Sequence, residues 1–381
     1  MTAAMVFWAS AFMLFYAYAG YGLLIAAWAR LRPRPVLRRR IEPRLSVVIA
    51  VHDEAAAIGP RIANLLALDY PLDRLEILVG SDGSTDGTAA RARAYEGLRV
   101  RVFDCPVRRG KPSVLNDLVP QAKGDLVVLA DARQRFERGA LRALVAPFAD
   151  ARVGAVSGTV VFPRAAAGGA IAAGSGEYRR LEAGLRLAES RVDSAVGATG
   201  AVYAVRRELF QPIPADTVLD DVLIPMRVVR QGFRVVFEPR ARALDQAPRT
   251  PREEFTRKVR TLAGNLQLLL RERWLLDPRR NRVWLQTVSH KAVRLPGPFL
   301  LFAMLAASVR LAAEPIYAAA LLGQAAFYGA ALLGHFAGRR GRVPRFLSLP
   351  FTFCVLNGAA FVAVLRFARG RQRITWTRAT A

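Results

Sequence analysis

Cysteine, histidine, lysine and acidic residues are all scarce in this 381-residue chain, and each scarcity narrows the reading. The two cysteines, Cys105 and Cys354, lie one in a segment of mixed polarity and one in an apolar run. That arrangement excludes a disulfide scaffold, and neither has a neighbouring histidine that would mark a nucleophile, so both are read as structural. Acids number 30 against 56 lysines and arginines, giving a formal charge of +26 and a pI of about 11.4. Such a balance raises nucleic acid as a partner. No zinc-finger spacing or aromatic RNA-binding signature accompanies it, however. The dense basic groups, Arg30–Arg40, Arg339–Arg345 and Arg366–Arg373, sit beside apolar runs. That is the pattern of contact with anionic lipid headgroups, where each basic residue contributes about 1 kcal/mol. The partner expected is a membrane, not a nucleic acid.

Charge is missing altogether from Met5–Trp28, and a helix needs about 20 such residues to cross a bilayer core. Further apolar runs are Leu295–Val309, Pro315–Ala337 and Leu347–Leu365, in a chain that is 53% hydrophobic with a mean hydropathy of +0.20. Any one of them, the short Leu295–Val309 above all, also reads as a buried core helix; four runs outside the mixed-polarity middle favour membrane helices. Ala17-Tyr18-Ala19 resembles a signal cleavage site, but no basic residue precedes the run, and Arg30, Arg32, Arg34, Arg38, Arg39 and Arg40 follow it. The run is therefore an anchor in the inner or plasma membrane, with Met1 outside and the middle of the chain cytoplasmic. If all three later runs span, the basic tail Arg366–Arg378 ends outside, against the same tendency. One run is then re-entrant or interfacial, as Trp284–Arg294 also reads.

From Leu45 onward, short runs rich in valine, leucine and isoleucine alternate with amphipathic stretches. The expected strands are Leu45–Val51, Leu75–Gly80, Leu98–Phe103, Asp125–Asp131 and Val153–Phe162; the expected helices are Ile58–Leu68, Asp86–Tyr95, Ser113–Gln121 and Ala140–Phe148. This alternation implies right-handed crossovers and a mostly parallel, Rossmann-like α/β sheet covered on both faces. There is no internal repeat, and Ala165–Gly176 is the loosest stretch. The division expected is an anchor over residues 1–29, a basic linker over 30–44, the α/β domain over 45–275 and a membrane region over 276–381, with one N-terminal and two to three C-terminal transmembrane helices.

Sheets of this kind bind ligands beyond the carboxyl ends of their strands. His52-Asp53-Glu54 follows the first strand, Ser81-Asp82-Gly83-Ser84-Thr85-Asp86-Gly87-Thr88 the second, and Asp131-Ala132-Arg133 ends the fourth. All three would line one edge. The double Asp-Gly loop also reads as a tight turn capping the next helix. Lysine occurs only at 111, 123, 258 and 291 in an arginine-dominated chain, so a compact point charge at Lys111 is suggestive, although a chance surface lysine is equally consistent.

The run from Leu45 to Asp131 resembles the nucleotide-binding half of family-2 glycosyltransferases, the group that includes the cellulose and hyaluronan synthases. The likeness is carried by Val47–Glu54, by the Asp82–Thr88 loop, by Arg109-Gly110-Lys111 with Leu115-Asn116, and by Asp131. With the segments below it reaches about Leu270. It implies a GT-A fold, an inverting reaction, a nucleotide-sugar donor (a UDP-sugar) and a glycan or lipid-linked acceptor. Glu54 and Asp82 would then contact the nucleoside, and Lys111 would lie near the donor. Asp131 would hold Mg2+ or Mn2+ on the diphosphate, where the ion neutralises charge on the leaving group. Here the sequence departs from the family's Asp-x-Asp, because Arg133 replaces the second carboxylate. One carboxylate suffices for magnesium when phosphate and water complete its shell; otherwise Arg133 takes over part of the neutralisation.

Gly197-Ala198-Thr199-Gly200-Ala201 resembles the acceptor-side segment, with Gly197, Thr199 and Gly200 allowing close approach to a sugar; packing of small residues is the rival. Leu219-Asp220-Asp221 opens an amphipathic helix ending near Gly232. By the resemblance Asp221 is the general base and Asp220 the preceding acid, whereas plain capping would also favour two acids there. Arg257-Lys258-Val259-Arg260 resembles a Gln-x-x-Arg-Trp motif, with Thr261 where tryptophan is usual. It would bring Arg257 and Arg260 to the donor diphosphate, unless the helix simply touches headgroups. Two alternatives stand beside this reading: a polyprenyl-phosphate or lipid glycosyltransferase that does not polymerise, and a degenerate donor-binding subunit without turnover.

Overall fold

The computed structural model describes residues 2–97, 99–162, 170–246, 250–338 and 344–369. The apolar runs of the middle become strands β1 (Leu45–Val51), β2 (Leu75–Asp82), β3 (Val100–Cys105), β4 (Leu126–Ala130), β5 (Arg135–Phe136), β6 (Val153–Val161), β7 (Val202–Arg206) and β8 (Arg234–Leu244). They form one sheet in the order β3-β2-β1-β4-β7-β6-β8-β5. β1 is buried along its whole length and pairs in parallel with β2 and β4, Leu45 facing Leu75 on one side and Leu126 on the other. The crossovers are the helices Ala55–Leu66, Thr88–Arg93 and Lys111–Leu118. Leucine, isoleucine and valine on both faces of β1, β2 and β4 meet these helices, which is why the strands read as unbroken apolar runs rather than alternating ones.

The expected mostly parallel order holds for β3-β2-β1-β4 and for the pair β6 and β8, but not throughout. β7 runs antiparallel to both β4 and β6, and β5 antiparallel to β8, so the sheet is mixed. An apolar strand carries no mark of its direction, and the sequence reading supplied none. The direction matters, because it starts β7 at the carboxyl edge, with Val202 opposite Ala130 at the end of β4. The glycine-rich segment before β7 therefore lies beside Asp131.

Of the loose stretch Ala165–Gly176, residues 165–169 lie outside the described residues, as does Leu98 before β3. From Ala170 the chain is helical to Val192, a 23-residue helix not anticipated from the sequence. The linker's arginines, expected on lipid, are partly used by the domain: Arg34 pairs with Asp193 at 2.7 Å and Arg38 with Glu238 at 3.1 Å.

Among the described residues three helices are long and apolar enough to cross a membrane: Ala3–Leu31, Pro315–Gly338 and Phe346–Ala368. The short run Leu295–Val309 falls in a broken pair, Trp284–Ala292 and Gly297–Arg310, bent by 64°. Polar side chains join these helices, as Tyr18 Oη donates to Asn357 Oδ1 and Tyr16 Oη meets Ser289 Oγ, both at 2.7 Å. Val259 and Ala263 of the helix Pro251–Arg271 pack on Ala359 and Ala363, small residues that let domain and membrane helix approach closely. The clusters at 339–343 and beyond Arg369, including the basic tail, lie outside the described residues.

Gly80 in β2 sets how closely the helix Lys111–Leu118 can lie on the sheet, since a Cβ there would come 2.3 Å from Val114 Cγ1 and 2.8 Å from Leu118 Cδ1. Gly80→Ala is expected to cost about 1–3 kcal/mol by overpacking. A thermal-unfolding midpoint of the purified chain equal to the parent's would refute that packing.

Candidate active site

The strand ends meet as the edge rule requires. Asp82 closes β2 and is buried; its two carboxylate oxygens accept from the backbone N–H groups of Arg109 and Gly110, each at 2.7 Å. Gly83 makes this crossing possible, with a φ of +63° and Arg108 N only 2.6 Å from where a Cβ would stand. Asp86 is a local capping residue, accepting from Ala55 N and Thr88 N at 3.0 Å each. The turn and capping reading of this loop thus holds for Asp86, whereas Asp82 ties the loop to the start of the Lys111 helix.

Lys111, the first residue of its helix, is 8% exposed and reaches Asp131 Oδ1 at 3.0 Å and Asp220 Oδ2 at 3.2 Å. Burial alone would lower its pKa; the carboxylates of Asp131 and Asp220 outweigh burial and hold it above the ordinary value. It is no chance surface lysine. Asp131 follows β4 with 37% of its side chain exposed to the cavity. Arg133 turns away from it and gives Nε and Nη2 to Glu54 Oε1, at 2.7 and 2.6 Å. That bond, ahead of a desolvation cost, raises the guanidinium above its ordinary pKa. Among the described residues no three histidine, cysteine or acidic side chains gather as a metal-binding group.

On the other side, Gly197 has a φ of +89°, and Ala198 N donates to Asp221 O at 2.7 Å. Thr199 is fixed by Ser157 Oγ on its N–H and by Gly158 O on its hydroxyl, both at 2.9 Å. Gly200 leaves room for the Asp221 carboxylate, whose Oδ2 lies 3.1 Å from a Cβ built there. Asp220 and Asp221 open the helix Asp220–Arg230, where its dipole favours them. Burial, and then the neighbouring Asp220, push Asp221 up to about 6. Arg257 and Arg260 stand further out on the helix Pro251–Arg271, where Arg257 is engaged by Glu254 one turn earlier.

All of the expected site residues except Asp82 and Gly197 line one cavity of about 1740 Å³, well above the 300–1,000 Å³ usual for a single small ligand. The cavity continues to Val362, Leu365 and Arg366, at one end of the apolar helix Phe346–Ala368. Its wall also holds Glu182 and Arg186, which sequence reading missed. Their only signal was an acid and a base one turn apart, common on any exposed helix.

Asp82→Ala would free the N–H groups of Arg109 and Gly110. Charge-assisted hydrogen bonds are worth about 1.5–3 kcal/mol, so amide exchange over residues 105–112 should accelerate at least roughly tenfold by hydrogen–deuterium mass spectrometry. Unchanged exchange there would mean that the carboxylate is not what holds this loop.

Residues 43–264 match the family model described as glycosyltransferase like family 2. Among curated proteins, the chain is 26% identical over 241 residues to a probable glycosyltransferase, YdaM, of Bacillus subtilis, an alignment covering 60% of this chain and 57% of that one. It is 27% identical over 239 residues to the poly-β-1,6-N-acetyl-D-glucosamine synthase of Staphylococcus aureus, covering 60% and 56%. The chain thus spans about half the length of these two relatives. Among solved structures, the mannosyltransferase PcManGT of Pyrobaculum calidifontis, in complex with GDP-mannose and Mn2+, superposes with a TM-score of 0.78 at 24% identity, covering 97% of this chain and 99% of that one. That likeness shows the GT-A fold. With the family model spanning more than half of its length, the chain belongs to glycosyltransferase family 2.

Proposed function

We propose that this protein is an inverting, membrane-anchored glycosyltransferase that moves a sugar from a nucleotide-diphosphate donor, a UDP-sugar on the family resemblance, to a glycan or lipid-linked acceptor. The observation that supports the reading is one cavity lined both by Asp131, at the end of β4, and by Asp221, beside Gly200. Glu54 and Asp82 mark the nucleoside end, with Lys111 next to the diphosphate. Arg257 and Arg260 offer guanidinium groups to the same phosphates from the membrane side. The opening toward the helix Phe346–Ala368 suits an acceptor held at the bilayer, and the arginines after the first span favour a cytoplasmic domain.

A divalent ion fits this site with Asp131 as its one protein carboxylate, since diphosphate and water oxygens complete a magnesium or manganese shell. When bound, it would neutralise the charge that grows on the leaving diphosphate. Lys111 would share that duty from the position it holds against Asp131. Arg133, pinned by Glu54, would keep the nucleoside end in place rather than replace the missing carboxylate.

In the reaction, the acceptor hydroxyl oxygen attacks the anomeric carbon on the face opposite the diphosphate. The bond from that carbon to the diphosphate oxygen breaks, and the diphosphate departs with the electron pair. Asp221 takes the hydroxyl proton, so the anomeric centre inverts. A base pushed up to about 6 works only when ionised. Transfer should therefore be full above that value and decline as pH falls through it, seen in kcat/KM against pH.

The decisive experiment is turnover of a panel of UDP- and GDP-sugars by the purified chain with Mn2+ or Mg2+, beside Asp221→Asn. One donor should be consumed, and the variant should lose at least about a hundredfold while still binding nucleotide. A variant as active as the parent overturns Asp221 as base. Nucleotide binding with no turnover of any donor, with or without added lipid extract, would favour a donor-binding subunit instead.

A further inference from the structure

Behind the acceptor-side segment lies a charged network on the helix Ala170–Val192. Glu182, Arg186 and Glu189 recur at spacings of four and three, so they share one face. That face meets His290, 3% exposed, in the broken helix pair. Its Nε2 lies 2.7 Å from Glu182 Oε1 and its Nδ1 2.8 Å from Glu189 Oε1. Glu189 also accepts from Tyr21 Oη of the first apolar helix at 2.8 Å and from Val196 N at 3.2 Å. Burial works against a charge on Glu182, but His290 outweighs it and holds the carboxyl well below the ordinary range. Both ring nitrogens of His290 are thus held by carboxylates of this one helix face.

This matters for Arg186. Arginine and glutamate one turn apart would ordinarily close on each other. Here Glu182 Oε1 is taken by His290, and Oε2 faces Arg294 Nη1 at 3.4 Å. Arg186 Nε keeps an ion pair with Oε1 at 3.4 Å but makes no hydrogen bond there. Its Nη1 turns instead to Thr199 Oγ1 at 2.9 Å, next to Gly200 and the Asp221 carboxylate. The guanidinium is 16% exposed and lines the cavity.

We propose that Arg186 is a positioning residue for sugar transfer: it fixes the Thr199–Gly200 segment against Asp221 and presents its incompletely paired charge to that carboxylate, and His290 directs it there by occupying Glu182. This rests on Asp221 acting as the base. The groups facing Asp221 are Asp220 on its own helix, Lys111, Arg186 and Lys291, with the Tyr203 hydroxyl beside them on β7. Asp220 and burial raise Asp221, and Lys111, Arg186 and Lys291 lower it. Lys111 is already shared between two carboxylates, and of the other two cations Arg186 is the one bonded to the Thr199 segment beside Asp221.

The test is the pH dependence of kcat/KM for the purified full chain, with the donor that the panel identifies, in R186Q, R186K and H290N. Nucleotide binding serves as the check on folding. R186Q should move the acid limb up by about one pH unit, as removal of a nearby opposite charge does, and raise the acceptor KM with donor affinity unchanged. R186K should restore the limb. H290N, which leaves Arg186 in place, should move the limb the same way, because the freed Glu182 oxygen neutralises the guanidinium. A lower plateau with the limb unmoved in both R186Q and H290N reduces the network to a structural role and overturns the proposal. If Asp221→Asn remains active, the failure belongs to the assignment of the base, not to Arg186.

Discussion

The buried ammonium of Lys111 holds together parts of the chain that the sequence keeps far apart. It stands between Asp131, at the end of a parallel strand, and Asp220, at the start of a helix about ninety residues later. Isolated buried charges are expensive, and removing one partner of such a group typically costs about 3–5 kcal/mol. The three side chains are therefore interdependent. The position of Lys111 depends in turn on Gly80, which lets its helix lie close to β2, and on Asp82, which grips the two residues before it. The two sides of the cavity, at Asp131 and at Asp220, are thus set by one chain of contacts.

A second chain of contacts runs from the apolar helices. The first apolar helix supplies Tyr21, the broken pair supplies His290 and Arg294, and the helix Ala170–Val192 gathers them and passes the constraint to Thr199. The helix Pro251–Arg271 is meanwhile pressed on the helix Phe346–Ala368 through alanines and Val259. The cavity wall at Thr199 and Gly200 is consequently built with support from both the α/β domain and the apolar helices. A shift of the apolar helices would be felt at Thr199 and Gly200 before it reached Asp82.

Much of the carboxyl edge of β1, β2 and β4 was legible because it is local. β1 has the expected bounds, and β2, β4 and β6 begin or end within two residues of them, since each is a short β-branched or leucine-rich run between turn residues. The acidic loops followed from strand ends alone. Helix starts were misjudged by a few residues where a carboxylate caps from outside the apolar pattern, as Asp86 does for Ala55. The first turns of the helix Ala170–Val192 fell in the stretch read as loosest, Ala165–Gly176, because they are mostly alanine and glycine. Its buried face mixes Leu185 and Val192 with Glu182 and Glu189, whose carboxylates are met by His290 from another element.

The sequence by itself determined the α/β domain between apolar segments, the carboxylates at the strand ends and the family to which the chain belongs. Hydrophobic period, turn chemistry and motif spacing are local properties, and they survive in one dimension. Only the tertiary structure decided that β7 runs antiparallel, that Lys111 bridges Asp131 and Asp220, that Arg133 is held by Glu54, and that Glu182 is shared between His290 and Arg186. Each of these is a choice among several oppositely charged or equally apolar partners. Such choices depend on which groups are brought within a few ångströms after burial, and no spacing along the chain encodes that distance.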